Sequence, residues 1–307
     1  MWSVYGETDA ATWASATPYI TDKTVTYKAE RTGWIFTPAY YWPADGYLSF
    51  VALSPSMTNE TSYDATTGFS IKTWTQGQYE AVGGTYDIID LMYSEPTPFL
   101  SKANINPADG EESATGADKN SYKGVDITFK HALSYITFKV QTAANYAATT
   151  QFSLNSITLS DIYRKGKFVQ KPGSGVSNWT ISDDDKDTKG TYVAYANASG
   201  EKFGYETAEA TTQTPLTASS ALGKEILLLP QTLTGGPQEL TIEYQISTDG
   251  GTTWINQTQS IDLSKGGVAT WEMGKKYTYT LSISMTEIIL DPAVTVWDET
   301  GSGALNL

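Results

Sequence analysis

Cysteine is absent from the 307 residues, histidine occurs once, as His131, and arginine twice, as Arg31 and Arg164. Without thiols there is no cysteine nucleophile, no disulfide framework and no thiolate zinc site, and a single imidazole cannot make a histidine-rich metal centre. Positive charge is short as well. Twenty Lys and Arg against 34 Asp and Glu leave a net charge of −14, which disfavours nucleic acid and anionic membranes as partners. No run approaches the roughly 18 consecutive apolar residues of a membrane-spanning helix; the longest, residues 48–53 and 226–229, are strand-sized. The first residues carry no basic stretch followed by an apolar one, so no signal peptide is read there. Trp2, Val4 and their neighbours read as the inside of a strand, and the expectation is a processed or trimmed form of a longer protein.

What is present is period-two alternation. Ile127 and Phe129, then Ile136, Phe138 and Val140, are separated by Thr, Lys and other polar residues. Phe152, Leu154, Ile157 and Leu159 follow a similar rhythm, as do Leu240, Ile242, Tyr244 and Ile246, and Tyr277, Tyr279, Leu281 and Ile283. Apolar side chains on one face and polar ones on the other are the signature of half-buried antiparallel strands. Gly, Pro, Asn and Asp punctuate the intervals. Helical stripes are weak and confined to residues 81–92 and 208–222. The predicted class is all-β, with sandwich domains. A polar stretch at 104–124 and the restart of alternation after His131 place a boundary near 130, giving an N-terminal sandwich over 1–130 and a C-terminal sandwich with a short polar tail over 131–307. Residues 173–190 read as a loop of the second.

Chemistry-bearing residues are few. His131 lies in a strand with no nucleophile motif nearby and is expected to be a hydrogen-bonded structural histidine at the junction. Asp183, Asp185 and Asp187 alternate as carboxylates do in a calcium loop, but Thr188 stands where that loop needs Gly and Ala194 where its bidentate Glu should be. A solvated turn is the expected reading, with these three aspartates as weak metal candidates. Residues 247–254 resemble the Asp-box hairpin of sialidases, but the box occurs once and two arginines cannot make a sialidase arginine triad, so a tight Asp-Gly-Gly hairpin is expected. Nine Trp and 20 Tyr could supply stacking platforms for sugars, although aromatics in a sandwich mostly fill the core. Phosphate-loop, metalloprotease and serine-elbow motifs are missing. The expectation is a non-enzyme with no cofactor.

Six segments in order resemble the fimbrillin family of Bacteroidales, in its minor-fimbria-like branch. They are residues 33–52 around Trp34 and Trp42, 86–92, 125–140 centred on Phe129, Lys130 and His131, 157–168, 227–231 with Pro230 and Gln231, and 271–277 leading to Val296 and Trp297. The resemblance implies two tandem transthyretin-like β-sandwiches, the first strand of the N-terminal one being absent from this chain. It also implies export as a lipoprotein precursor, whose signal and lipid-bearing cysteine are not in this sequence, and display in a fimbrium at the outer membrane.

The implied mechanism is assembly by strand exchange after cleavage at an arginine, with other fimbrial subunits as partners and host or bacterial surface proteins or glycans as further ones. An unpaired sheet edge and its apolar groove attract an incoming strand. The candidate donor is the C-terminal stretch with Ile289, Val294, Val296, Leu305 and Leu307; the part around Val294 reads equally well as completing its own sandwich. Arg31 is the candidate protease-sensitive site, and the scarcity of arginine suits a subunit matured by an arginine-directed protease. The alternative function is a surface-anchored glycan-binding lipoprotein that does not polymerise.

Overall fold

Alternation in the sequence becomes alternation in burial. In the strand Glu239–Ser247, Leu240, Ile242, Tyr244 and Ile246 are buried while Thr241, Glu243 and Gln245 are not, as a pleat with one wet face requires. The same physics repeats through a computed structural model that describes residues 1–29, 33–57, 60–77, 89–102, 124–144, 146–147, 149–171, 178–181, 189–197, 203–204, 214–216, 226–297 and 302–305.

The strands are, in chain order, β1 (Trp2–Gly6), β2 (Thr17–Ile20), β3 (Val25–Lys28), β4 (Gly33–Phe36), β5 (Tyr47–Val51), β6 (Leu53–Ser54), β7 (Thr61–Asp64), β8 (Gly68–Thr75), β9 (Met92–Ser94) and β10 (Leu100–Ser101). There follow β11 (Val125–His131), β12 (Ser134–Thr142), β13 (Gln151–Tyr163), β14 (Lys165–Val169), β15 (Trp179–Thr180), β16 (Lys189–Ala196), β17 (Phe203–Gly204) and β18 (Thr214–Leu216). The last are β19 (Ile226–Leu228), β20 (Gln231–Thr232), β21 (Glu239–Ser247), β22 (Ile255–Asp262), β23 (Thr270–Trp271), β24 (Lys275–Ile283), β25 (Ile288–Val296) and β26 (Ser302–Leu305). The all-β class expected from the alternation is the one observed. Within the weakly helical stretch 208–222, the described residues Thr214–Leu216 form a strand against Phe138–Val140 of β12; in the other, Met92 opens β9, and 81–88 lie outside the described residues.

Two face-to-face pairs of sheets hold most of the chain. One pair, β10-β5-β1-β2 and β3-β4-β26-β11-β9-β6, encloses a core with Ile20, Phe36, Leu48, Phe50, Val125 and Ile127. The other, β18-β12-β24-β25 and β16-β13-β21-β22, encloses a larger core around Phe152, Tyr192, Trp271 and Tyr279. The expected cut after residue 130 falls at the penultimate residue of β11. Between the two pairs lies a third core containing Trp2, Phe69, Trp74, Leu133, Phe168 and Trp179, with its own sheet β15-β14-β8-β7, built from residues on both sides of that cut.

Buried amides satisfy the backbone where this middle sheet meets its neighbours. Gln170, 4% exposed, accepts from the Phe69 N–H through Oε1 (3.0 Å) and donates through Nε2 to the Ser94 carbonyl (3.2 Å). Gln76 donates to the Leu227 carbonyl (2.9 Å) and accepts from the Trp74 indole (3.0 Å). The Trp179 indole donates to the Ala132 carbonyl (2.7 Å). Gln170 reaches backbone groups 101 and 76 residues away and Gln76 one 151 residues away, and a buried donor or acceptor left without a partner is costly. Gln170→Ala therefore strands the Phe69 N–H and the Ser94 carbonyl, with an expected loss of about 1–3 kcal/mol. Chemical denaturation should show a lower midpoint with an unchanged slope; an unchanged midpoint would mean that the amide does not hold the middle sheet.

Candidate assembly interface

The β3–β4 hairpin opposes Val25 to Phe36 and Tyr27 to Trp34, and residues two apart share a face of a strand. Phe36 at one end is 4% exposed, whereas Tyr27 and Trp34 are 52% and 44% exposed, their rings meeting edge to face at 5.7 Å. The core-facing side of this hairpin thus runs out beyond the core. Next to it opens a cleft of about 370 Å³ walled by Trp2, Trp34, Leu53, Met57, Met92 and Phe129. Its walls come from β1, β4, β6, β9 and β11, so both N-terminal sheets border it.

The C-terminal strand β26 enters this same sheet. It lies between β4 and β11, antiparallel to β11 with Val125 opposite Leu305, Asp126 opposite Ala304, Ile127 opposite Gly303 and Thr128 opposite Ser302. On its other side Leu305 is paired in parallel with Trp34. Trp34 and Ile127 border both the cleft and the tail. The candidate donor residues are therefore separated by the fold. Ile289, Val294 and Val296 lie on β25, opposite Ser282, Tyr277 and Lys275 of β24, at the edge of the sheet β18-β12-β24-β25, and are 52%, 50% and 68% exposed. Leu305 sits in the N-terminal sheet, and Leu307 lies outside the described residues, as do Arg31, Asp183, Asp185 and Asp187. Among the described residues no three His, Cys, Asp or Glu side chains gather as metal ligands, and no helix is long and apolar enough to cross a membrane.

His131 sits at the last position of β11. Its Nδ1–H donates to Asp90 Oδ2 (2.7 Å), and its ring stacks on the Trp297 indole with centroids 3.5 Å apart and planes 6° from parallel. Sequence reasoning placed this histidine at the junction but missed both partners, because 41 residues separate it from Asp90 and the far end of β25 brings up Trp297. It likewise missed residues 125–128 as an acceptor edge. The only available signal there was the alternation that made them a strand.

Among the described residues the exposed aromatics are Tyr19, Tyr27, Trp34 and Tyr41, all within 19–41; many others, Trp271 and Phe50 among them, are core. The segment 247–254 joins β21 and β22 as a hairpin, but through a loop over 248–254 rather than the tight turn expected. Gly250 and Gly251 take φ of +72° and +86°, and Asp249 Oδ1 accepts from the backbone N–H groups of Thr252 (3.0 Å) and Thr253 (2.8 Å) and from the Ser247 hydroxyl (2.8 Å). Hydrogen bonds from Thr253, with Ser247 adding to them, hold the Asp249 carboxyl down at about 2. A folded-state value below the ordinary one of about 4 stabilises the fold above that ordinary value, and the contribution is lost as pH falls from about 4 to about 2. Asp249→Asn should flatten this part of the acid limb of a Tm-against-pH profile; an unchanged limb would remove the turn from the acid response.

The sequence profile of the fimbrillin-like family matches residues 1–297. No curated relative matches the chain. Similar solved structures include a fimbrial protein from Bacteroides vulgatus, at 17% identity and a TM-score of 0.48, covering 96% of this chain and 92% of that one. A candidate cell adhesion protein from Bacteroides uniformis is 16% identical with a TM-score of 0.45, covering 97% and 91%. One from Parabacteroides distasonis is 12% identical with a TM-score of 0.43, covering 97% and 93%. With the family profile running from the first residue through Trp297, the chain belongs to the fimbrillin-like family.

Proposed function

We propose that the protein is a fimbrial subunit or fimbria-associated adhesin, displayed at the cell surface and assembled with other subunits by strand exchange. The observation that carries this reading is β26, a strand from the C-terminal tail lying between β4 and β11 of the N-terminal sheet. Backbone pairing of this kind is blind to which molecule supplies the strand. The bonds that Ser302–Leu305 make with Val125–Thr128 could be made equally by the tail of a second copy, and the neighbouring cleft offers apolar walls to the side chains of an added strand. The division into sandwiches at 1–130 and 131–307 belongs to this proposal, as do export, lipid anchoring at the outer membrane and maturation at Arg31. No catalytic role is part of it.

A second reading, glycan binding without polymerisation, is favoured by the exposed aromatics Tyr19, Tyr27, Trp34 and Tyr41, since exposed rings can stack on sugar faces. Deleting residues 298–307 separates the two. Under strand exchange the full chain, incubated at high concentration, forms oligomers visible by light scattering and the truncated chain stays monomeric. If both chains assemble alike, the tail is not the donor. Retention of the truncated protein on a glycan array, lost on Trp34→Ala, would support the second reading instead.

A further inference from the structure

Strand β11 holds the tail at two places. Its first four residues pair with β26, and its last, His131, stacks on Trp297, the residue that follows β25 and precedes the tail. Along β11 the distance from Thr128 to His131 is about 10 Å at roughly 3.3 Å per residue. The chain from Trp297 to Ser302 has five steps and can span about 17 Å. The tail thus leaves from a point close to where it inserts, with slack to spare.

Trp297 is fixed there by more than its ring. Its N–H donates to the Gly274 carbonyl (2.9 Å), and the Gly274 N–H donates to the Leu133 carbonyl (2.9 Å), an arrangement for which Gly274 takes φ of +66°. Tyr135 also packs against it, its ring 5.4 Å from the indole and tilted by 32°. His131 is itself held by Asp90, whose Oδ1 is buried with no hydrogen-bond partner among the described residues. The carboxylate therefore depends on the imidazole as much as it orients it.

We infer that Trp297, His131 and Asp90 form a clasp that keeps the tail in its own sheet and restrains its transfer to a second copy of the chain. Pinning the root near the acceptor edge raises the effective concentration of the tail for its own β11 above that for any neighbour's. Releasing Trp297 removes that advantage without altering a residue of β26 or of the acceptor edge. This rests on the strand-exchange reading and assigns it a control point: the self-inserted chain is the storage form, and loosening the clasp commits it to assembly.

The absence of cysteine makes a direct test available. Thr128→Cys with Ser302→Cys places one thiol pair at opposed positions of β11 and β26, close enough for a disulfide. After incubation under reducing conditions and mild oxidation, non-reducing electrophoresis reads the tail's location: a cross-linked monomer for self-insertion, dimers and ladders for exchange. The double variant alone should give mainly cross-linked monomer. Adding Trp297→Ala should raise the intermolecular share roughly two- to tenfold, the range an aromatic stack contributes, and Trp297→Phe should restore the original ratio. Asp90→Asn, which keeps the packing volume, should shift the ratio in the same direction as Trp297→Ala and covers the case in which that variant fails to fold. An unchanged ratio in folded Trp297→Ala and Asp90→Asn proteins would overturn the clasp and leave strand exchange standing. No disulfide in any background, within or between chains, would overturn the pairing of the tail with β11 and with it both readings.

Discussion

Ala132 and Leu133, neither with measurable exposure, carry the chain from β11 into β12, and their burial is the constraint around which the other parts are arranged. The Ala132 N–H donates to the Leu91 carbonyl (2.8 Å), and the Ala132 carbonyl accepts from the Trp179 indole. Burying this crossing in apolar surroundings requires every backbone group in it to be paired. The partners are Leu91, the Trp179 indole of β15 and the Gly274 N–H, which donates to the Leu133 carbonyl, while Phe69, Ile71 and Trp74 of β8 and Phe168 of β14 share the apolar core with the crossing. Burial of the crossing ties the sheet of β11 to that of β12: β11 ends at His131 and β12 starts at Ser134, with Ala132 and Leu133 between them.

That coupling puts the root of the C-terminal tail beside the N-terminal sheet. β25 runs antiparallel to β24 along the edge of its sheet and delivers Trp297 to His131. From there the tail has a short route into the space between β4 and β11. An inserted strand can satisfy both of its edges, which an isolated tail cannot do, and this is sufficient reason for Ser302–Leu305, poor in apolar residues, to adopt a strand at all. Its pairing rests on backbone groups, so its identity as donor is encoded by where it can reach and by what lies on either side of it.

The Asp249 hairpin shows how a motif can be legible and functionally silent. Its turn is dictated by two glycines at positive φ and by a carboxylate that collects neighbouring N–H and O–H donors; nothing beyond an ordered β21–β22 connection follows from it. The aromatic richness of the chain dissolves in the same way. Large rings such as Trp271, bonded through its indole to the Tyr279 hydroxyl (2.8 Å), fill the core between β12–β24 and β13–β21, and among the described residues Tyr19, Tyr27, Trp34 and Tyr41 stay exposed, Trp34 at the wall of the cleft.

By itself the sequence determined the fold class and most of the long strands, because side-chain alternation is a local property that burial of one face of a sheet converts directly into structure. β21 and β24 match their alternating stretches nearly residue for residue, and the resemblance motifs pointed to the right family for the same reason. The pairing of β8 with β14, the use of Gln76 and Gln170 as backbone bridges, the stacking of His131 on Trp297 and the insertion of β26 beside residues 125–128 were decided only by the tertiary structure. Each joins residues some 70 to 180 positions apart through backbone groups, amides or stacked rings that carry no periodic signal, so their meeting depends on how the sheets stack and on which groups burial leaves in need of a partner.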